Sequence, residues 1–349
     1  MHTLPPYRRI LLLTEGRLGV FTSKTAAVLL RYRAADIVGV VDSTYARRDI
    51  REIIPWSPPV PICAEVRSAA ALRPDALFVG IAPSGGALPP ELRTHVKAAL
   101  EVGIDVVNGL HQRLADDEEL CGVARGSGAK MLDLRTPPSP VVGAGRAQQT
   151  RCRRVLTVGT DCNVGKMVTA VELAAAARRR GLNAEFVATG QTGIMIAGRG
   201  VAADAVVSDF AAGAVEELVL SVADCDVCFV EGQGSLGHAG FSAVTLATIH
   251  GACPDALVLV HHAGRTHYRN PPHNPLPPLP ALRDAYEQTA ALVYPARLVA
   301  VALNTYGVER DLADAETARI GAELRVPAAD PWRDGCEALL DAALEGIRR

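Results

Sequence analysis

One stretch limits what this chain can fold into more than any other. An apolar strand, Val155-Leu156-Thr157-Val158, runs into Gly159-Thr160-Asp161-Cys162-Asn163-Val164-Gly165-Lys166-Met167. A helical run from Val168 to Arg180 follows at once, and Gly181 closes it. A glycine-rich turn between strand and helix points its N–H groups inward, and the helix N-terminus adds positive potential. A lysine at the end of such a turn reaches the outer phosphates of a ligand. The layout therefore predicts a parallel α/β sheet with a phosphate site at its carboxyl edge.

Two departures from the usual loop matter. Five residues separate Gly159 from Gly165, where four are usual, and Met167 follows the lysine in place of the Ser or Thr that ligates Mg²⁺. Thr169 is no substitute, because two residues on is about 200° round the helix. Metal would then rest on Glu231, Asp204 or Asp209, or on waters.

The chain has 349 residues, enough for two domains with full cores. Ala, Val, Leu and Gly dominate and aromatics are scarce, which suits Val-rich strands covered by Ala-rich helices. Strands are expected at 8–16, 37–42, 75–83, 104–110 and 129–135, with helices at 23–32 and 89–103. The segment 136–151 is rich in Pro, Gly and polar residues and marks a boundary. We expect a Rossmann-like domain over 1–140 and a P-loop domain over 151–349. Residues 270–280, NPPHNPLPPLP, read as an extended surface loop.

Other classes are disfavoured. The net charge of −2 comes with no basic block, so nucleic acid is not an expected partner. No apolar run reaches the roughly 18–20 residues that span a bilayer, and no signal-peptide pattern opens the chain. A cytoplasmic homo-oligomer acting on a small molecule is expected. Cys225 and Cys228 form a lone CxxC in an apolar strand and read as core thiols rather than a zinc site. In the first domain, Gly16 and Gly19 make only part of a dinucleotide fingerprint, with Asp42 where a ribose-binding acid would stand. We read that turn as a scaffold without a dinucleotide site.

GTDCNVGK resembles the GTDTxVGKT loop of dethiobiotin synthetases, which has the same spacing. Cys228–Gly234 resembles that family's VEGAG strand end, whose glutamate binds Mg²⁺ and here is Glu231. Asp204 resembles its partner aspartate. Ala302-Leu303-Asn304 resembles the strand end where an asparagine reads adenine, and Val326–Trp332 the loop closing over the base. Gln191 and Thr192 stand in the substrate loop, but its lysine is absent, which argues against dethiobiotin synthesis itself.

Longer strings, ATGQTGIMIAG (188–198), DAVVSDFAAGAVEELV (204–219), VEGQGSLGHAGFSAVTLATIHG (230–251) and PDALVLVHHAGRTHYRNPPHNPLPPL (254–279), resemble the bacterial DgcN-like family of D-glutamate N-acetyltransferases, formerly a domain of unknown function. The resemblance covers both domains and implies acetyl transfer from acetyl-CoA to an amino acid.

Six of the nine histidines (238, 250, 261, 262, 267 and 273) lie between residues 238 and 273, with Arg265 and Arg269. Arginine offers a fork for carboxylate, and histidine exchanges protons near neutral pH. We expect Gln191, Thr192, His262, Arg265, His267 and Arg269 to contact substrate, and Lys166, Glu231, Arg265 and His267 to act in catalysis. His261 and His262 occupy opposite strand faces, so at most one faces the pocket. His250 reads as a packed helix-end residue. Three functions stay open at this point: acetyl-CoA-dependent N-acylation, ATP-dependent amide ligation through an acyl phosphate, and a P-loop kinase or regulatory nucleotide-binding protein.

Overall fold

The computed structural model describes residues 1–83 and 85–346. Its chain contacts divide into two units. One comprises His2–Thr136 with Ile194–Arg199, and the other Pro137–Gly193 with the chain from Gly200 onward. Among the described residues no helix is long and apolar enough to cross a membrane.

In the first unit a two-residue strand β1 (His2–Thr3) precedes β2 (Ile10–Leu13), β3 (Ile37–Val41), β4 (Ile62–Cys63), β5 (Ala76–Val79), β6 (Asp105–Asn108) and β7 (Met131–Asp133). The last six form one sheet in the order β4-β3-β2-β5-β6-β7, with every pair parallel. Its central strands are apolar throughout and buried, as a sheet covered on both faces requires. The helix Pro90–Glu101 carries its proline in the first turn, where no backbone N–H is needed. Asp42, at the end of β3, is fully buried. Its carboxylate accepts from the Thr14 hydroxyl and from the N–H groups of Leu18 and Thr44. The turn after β2 thus occupies the very oxygens a ribose would need.

The second unit holds β8 (Arg153–Gly159), β9 (Ala184–Val187), β11 (Val227–Val230), β12 (Ala256–His262), β13 (Arg297–Asn304) and β14 (Ala328–Ala329); β10 (Arg199–Gly200) lies outside this sheet. The order is β14-β13-β12-β8-β11-β9, again all parallel. From β8 the chain goes to β9 at the sheet edge, returns to β11 between the two, and then crosses to β12 on the other side of β8. Strand order reverses at β8, and such a reversal opens a crevice at the carboxyl ends of the strands. Gly159, Glu231, His262 and Asn304 stand at those ends.

The proline-rich segment runs as irregular chain up to Pro278, but Leu279–Ala291 is helical. Pro280 sits in the first helical turn, where the ring is tolerated, so the loop is shorter than its proline density suggests. Cys225 and Cys228 are buried in the core of this unit, as the strand pattern implied, and Cys152 joins them. The sulfurs of Cys152 and Cys225 are 2.9 Å apart.

Candidate active site

The glycine-rich turn leaves β8 at Gly159 and enters the helix Lys166–Arg179. Gly165 caps that helix at φ +116°, a conformation side chains strongly resist, which explains a glycine there. The turn is tied down from three elements. The Thr160 N–H donates to the Val260 carbonyl (3.1 Å), and the Tyr286 hydroxyl donates to the Gly159 carbonyl (2.7 Å). The Ser235 hydroxyl donates to the Thr160 carbonyl (3.1 Å). Lys166 is 7% exposed and folds back so that Nζ donates to the Asp161 carbonyl at 2.8 Å. Val164 is buried, Asn163 exposed, and Met167 half-buried with a thioether where Mg²⁺ would seek a hydroxyl. Thr169 is buried (1% exposed).

Glu231 follows β11 directly. Its Oε2 accepts from the N–H groups of Thr189 and Gly190, both at 3.1 Å. Burial pushes its pKa up to about 7, against the opposing pull of those two N–H donors, of Gln233 and of the Lys166 charge. The site therefore holds a carboxyl group poised near neutrality beside a lysine. Gly232 makes the approach of β11 to β8 feasible, since a Cβ there would lie 1.7 Å from the Thr157 carbonyl oxygen. Gly232→Ala should destabilise the protein by about 2–3 kcal/mol through backbone overpacking. Urea denaturation would read this as a lower midpoint, and an unchanged midpoint would show that the strand gap yields.

Asp161 is fully buried, and its charge is met from the loop after β12. Arg265 Nη1 lies 3.0 Å from Oδ2 and 3.1 Å from the Cys162 carbonyl, while the Arg269 N–H donates to the same Oδ2 at 2.8 Å. Arg265, expected as a carboxylate anchor for substrate, thus has a carboxylate of the protein itself as partner. A buried Asp needs such a cation, because one left unpaired is strongly destabilising. Arg269 keeps its guanidinium on an exposed residue. His267 is exposed and its ring nitrogen meets the Thr266 hydroxyl at 3.0 Å. Of the β12 pair, His261 is the one that meets the phosphate loop, Nδ1 to Thr160 Oγ1 at 3.0 Å. Burial lowers its pKa to about 4, so it acts there as a neutral ring. His262 is half-buried, bonds the Ala263 carbonyl, and has its pKa lowered by burial. His250 packs at the end of Ser242–Ala252 against the Thr289 carbonyl.

Asn304 ends β13 close to Gly165, and its Oδ1 accepts from the Tyr306 N–H. Gln191 and Thr192 are half-buried at the start of the helix Gln191–Ala197. Asp204 and Asp209 are both exposed, the first in the turn Ala203–Ala205 and the second in the first turn of Ser208–Leu220. Among the described residues, these two and Glu231 do not gather into a three-ligand cluster. One such cluster does exist there, formed by Asp161, Cys162 and His238.

Residues 141–340 match the P-loop domain of the DUF1611 family, and residues 43–137 match its Rossmann-like N-terminal domain; both are described as domains of unknown function. The chain belongs to this family. A member of known crystal structure, from Anabaena variabilis, is 43% identical and superposes with a TM-score of 0.92, covering 97% of this chain and 99% of its own. A Tritonibacter scottomollicae protein named D-glutamate N-acetyltransferase is 39% identical over 280 residues, 79% of this chain and 83% of its own. A Pseudoalteromonas protein of the same name is 36% identical over 273 residues, 78% of this chain and 82% of its own. The P-loop and Rossmann-like assignments from sequence agree with the two matched domains.

Proposed function

We propose that this protein is an N-acetyltransferase that moves the acetyl group of acetyl-CoA onto the amino group of D-glutamate or a closely similar acidic amino acid. The observation that carries this reading is the similarity to two D-glutamate N-acetyltransferases over nearly four-fifths of the chain. The site suits the chemistry. The loop Gly159–Met167 and Lys166 take the phosphates of the donor, and Asn304 stands where a strand end can meet the adenine that CoA and ATP share.

The amine arrives as an ammonium ion and must lose a proton before its nitrogen can attack the thioester carbonyl. Glu231, with a pKa near 7, can hold that proton as general base. The new C–N bond forms and the C–S bond breaks; the nitrogen gives up its second proton and the departing sulfur takes one, so that the products are the amide and the CoA thiol. Arg269, His267, His262, Gln191 and Thr192 are the groups we assign to the substrate side, with Arg265 setting the loop through Asp161.

The dethiobiotin-synthetase-like loop favours a second reading, ligation through an acyl phosphate made from ATP. That chemistry wants Mg²⁺, and the candidate donors fit it poorly: Met167 offers no hydroxyl, and Asp204 and Asp209 stand exposed without converging on Glu231. A kinase or regulatory nucleotide-binding protein would show no dependence on an amine. Incubation with D-glutamate and acetyl-CoA should release free thiol in proportion to D-glutamate. ADP formation from ATP with two substrates, and no thiol, would replace this reading with the ligase.

A further inference from the structure

The cluster Asp161, Cys162 and His238 is separate from Glu231 and plays no part in the proton transfer above. Each residue offers a ligand atom, and these atoms lie within 4.8 Å of one another. Asp161 and His238 are buried, at 0% and 5% exposure, and Cys162 is half-buried. The donors are one carboxylate oxygen, one sulfur and one imidazole nitrogen. Mg²⁺ and Ca²⁺ take oxygen ligands, so this set belongs to a borderline transition ion.

The surroundings are those of a ligand set held in place. His238 Nε2 meets the Asn270 carbonyl at 2.5 Å, which requires the proton on Nε2 and leaves the lone pair on Nδ1. Metal-binding histidines are commonly fixed by such a carbonyl on the far nitrogen, and ligating carboxylates by hydrogen bonds of their own. Asp161 has the latter from Arg265 and Arg269. Two contacts compete: the Gly240 N–H points at His238 Nδ1 (3.1 Å), and the Cys162 N–H at Asp161 Oδ1 (2.6 Å). A carboxylate oxygen can accept twice, and the exposed 239–240 turn can give up one backbone bond.

A second observation points to a ligand here. Tyr268 is 4% exposed and packs edge-on against the His238 ring at 5.2 Å. Its hydroxyl is buried without a hydrogen-bond partner, although the Ser235 side chain lies beside it. A buried hydroxyl without a partner, on a ring packed against His238, calls for one, and a water or hydroxide on an ion held by these residues supplies it.

We propose that Asp161, Cys162 and His238 bind one divalent transition ion of the zinc class. Three protein donors leave a tetrahedral ion one position for water or an oxygen of the substrate, the arrangement of a reactive rather than a closed site. The ion would also join the phosphate loop to the 238–240 turn.

The test uses the full-length protein, stripped with chelator, desalted and titrated with Zn²⁺ against a chromophoric chelator. One equivalent should bind, and Cys162→Ser should weaken it by about tenfold or more. Titration with Co²⁺ should raise a thiolate-to-cobalt charge-transfer band in wild type and in Cys63→Ser, and none in Cys162→Ser. His238→Gln should lose zinc as well. If its packing against Phe241 and Tyr268 makes that variant unstable, Cys162→Ser decides alone. No zinc bound in competition with the chelator, equal affinity in Cys162→Ser, or cobalt bound without the thiolate band would each overturn the site.

Discussion

Lys166→Ala is expected to weaken binding of CoA and of ATP by about a hundredfold while leaving a cooperative thermal transition. A hydrogen bond to a charged group contributes about 1.5–3 kcal/mol, and each 1.4 kcal/mol is a factor of ten in affinity. In the free protein the ammonium rests on the Asp161 carbonyl, 2.8 Å away, beside the backbone of Gly159. A phosphate arriving at the loop therefore finds the charge already in place and needs no long side chain to be recruited from solvent. The alanine variant loses that charge but none of the other ties on the loop, which run to Val260, Tyr286 and Ser235. Calorimetric titration with each ligand measures the loss, and a melting curve checks the fold. Wild-type affinity for both ligands in this variant would place the phosphates elsewhere.

The loop was legible because all of its parts are consecutive: strand, turn, lysine and helix lie in one run of sequence. The parallel α/β class followed from repeated apolar runs separated by helical periods. What escaped was pairing across distance. Asp161 and Arg265 meet although 104 residues separate them, and neither residue type reveals whether its partner will be substrate or protein. His261 and His262 show the limit of periodicity. Alternation says that they face opposite ways, but which of them faces the phosphate loop is decided by how β12 pairs with β8, a register that one sequence does not carry. Asp42 looked like a ribose acid because of its place after a strand, and only the hydrogen bonds of its own turn show otherwise. The grouping of 194–199 with the first unit has no signal in the residues at all.

Glu231→Gln should separate activity from stability in opposite directions. If Glu231 takes the ammonium proton, acetyl transfer by wild type should fall tenfold per pH step below about pH 7, because the carboxylate form is lost there. The glutamine variant should lose at least about a hundredfold in kcat at pH 8, the contribution of a positioned general base, and show no such acid limb. Its stability should move the other way. The folded pKa lies near 7 and the ordinary value is 4.5, so the unfolded chain releases this proton first as pH rises. Stability from this group is therefore fully present below about pH 4.5 and declines to about pH 7, a loss of about 3 kcal/mol by linkage. Glutamine carries no charge to bury and can still accept from Thr189 and Gly190. The variant should melt above wild type at pH 8, with the gap closing at pH 5. A variant that keeps full turnover, or melts below wild type at pH 8, would show that Glu231 is neither the base nor a strained buried charge.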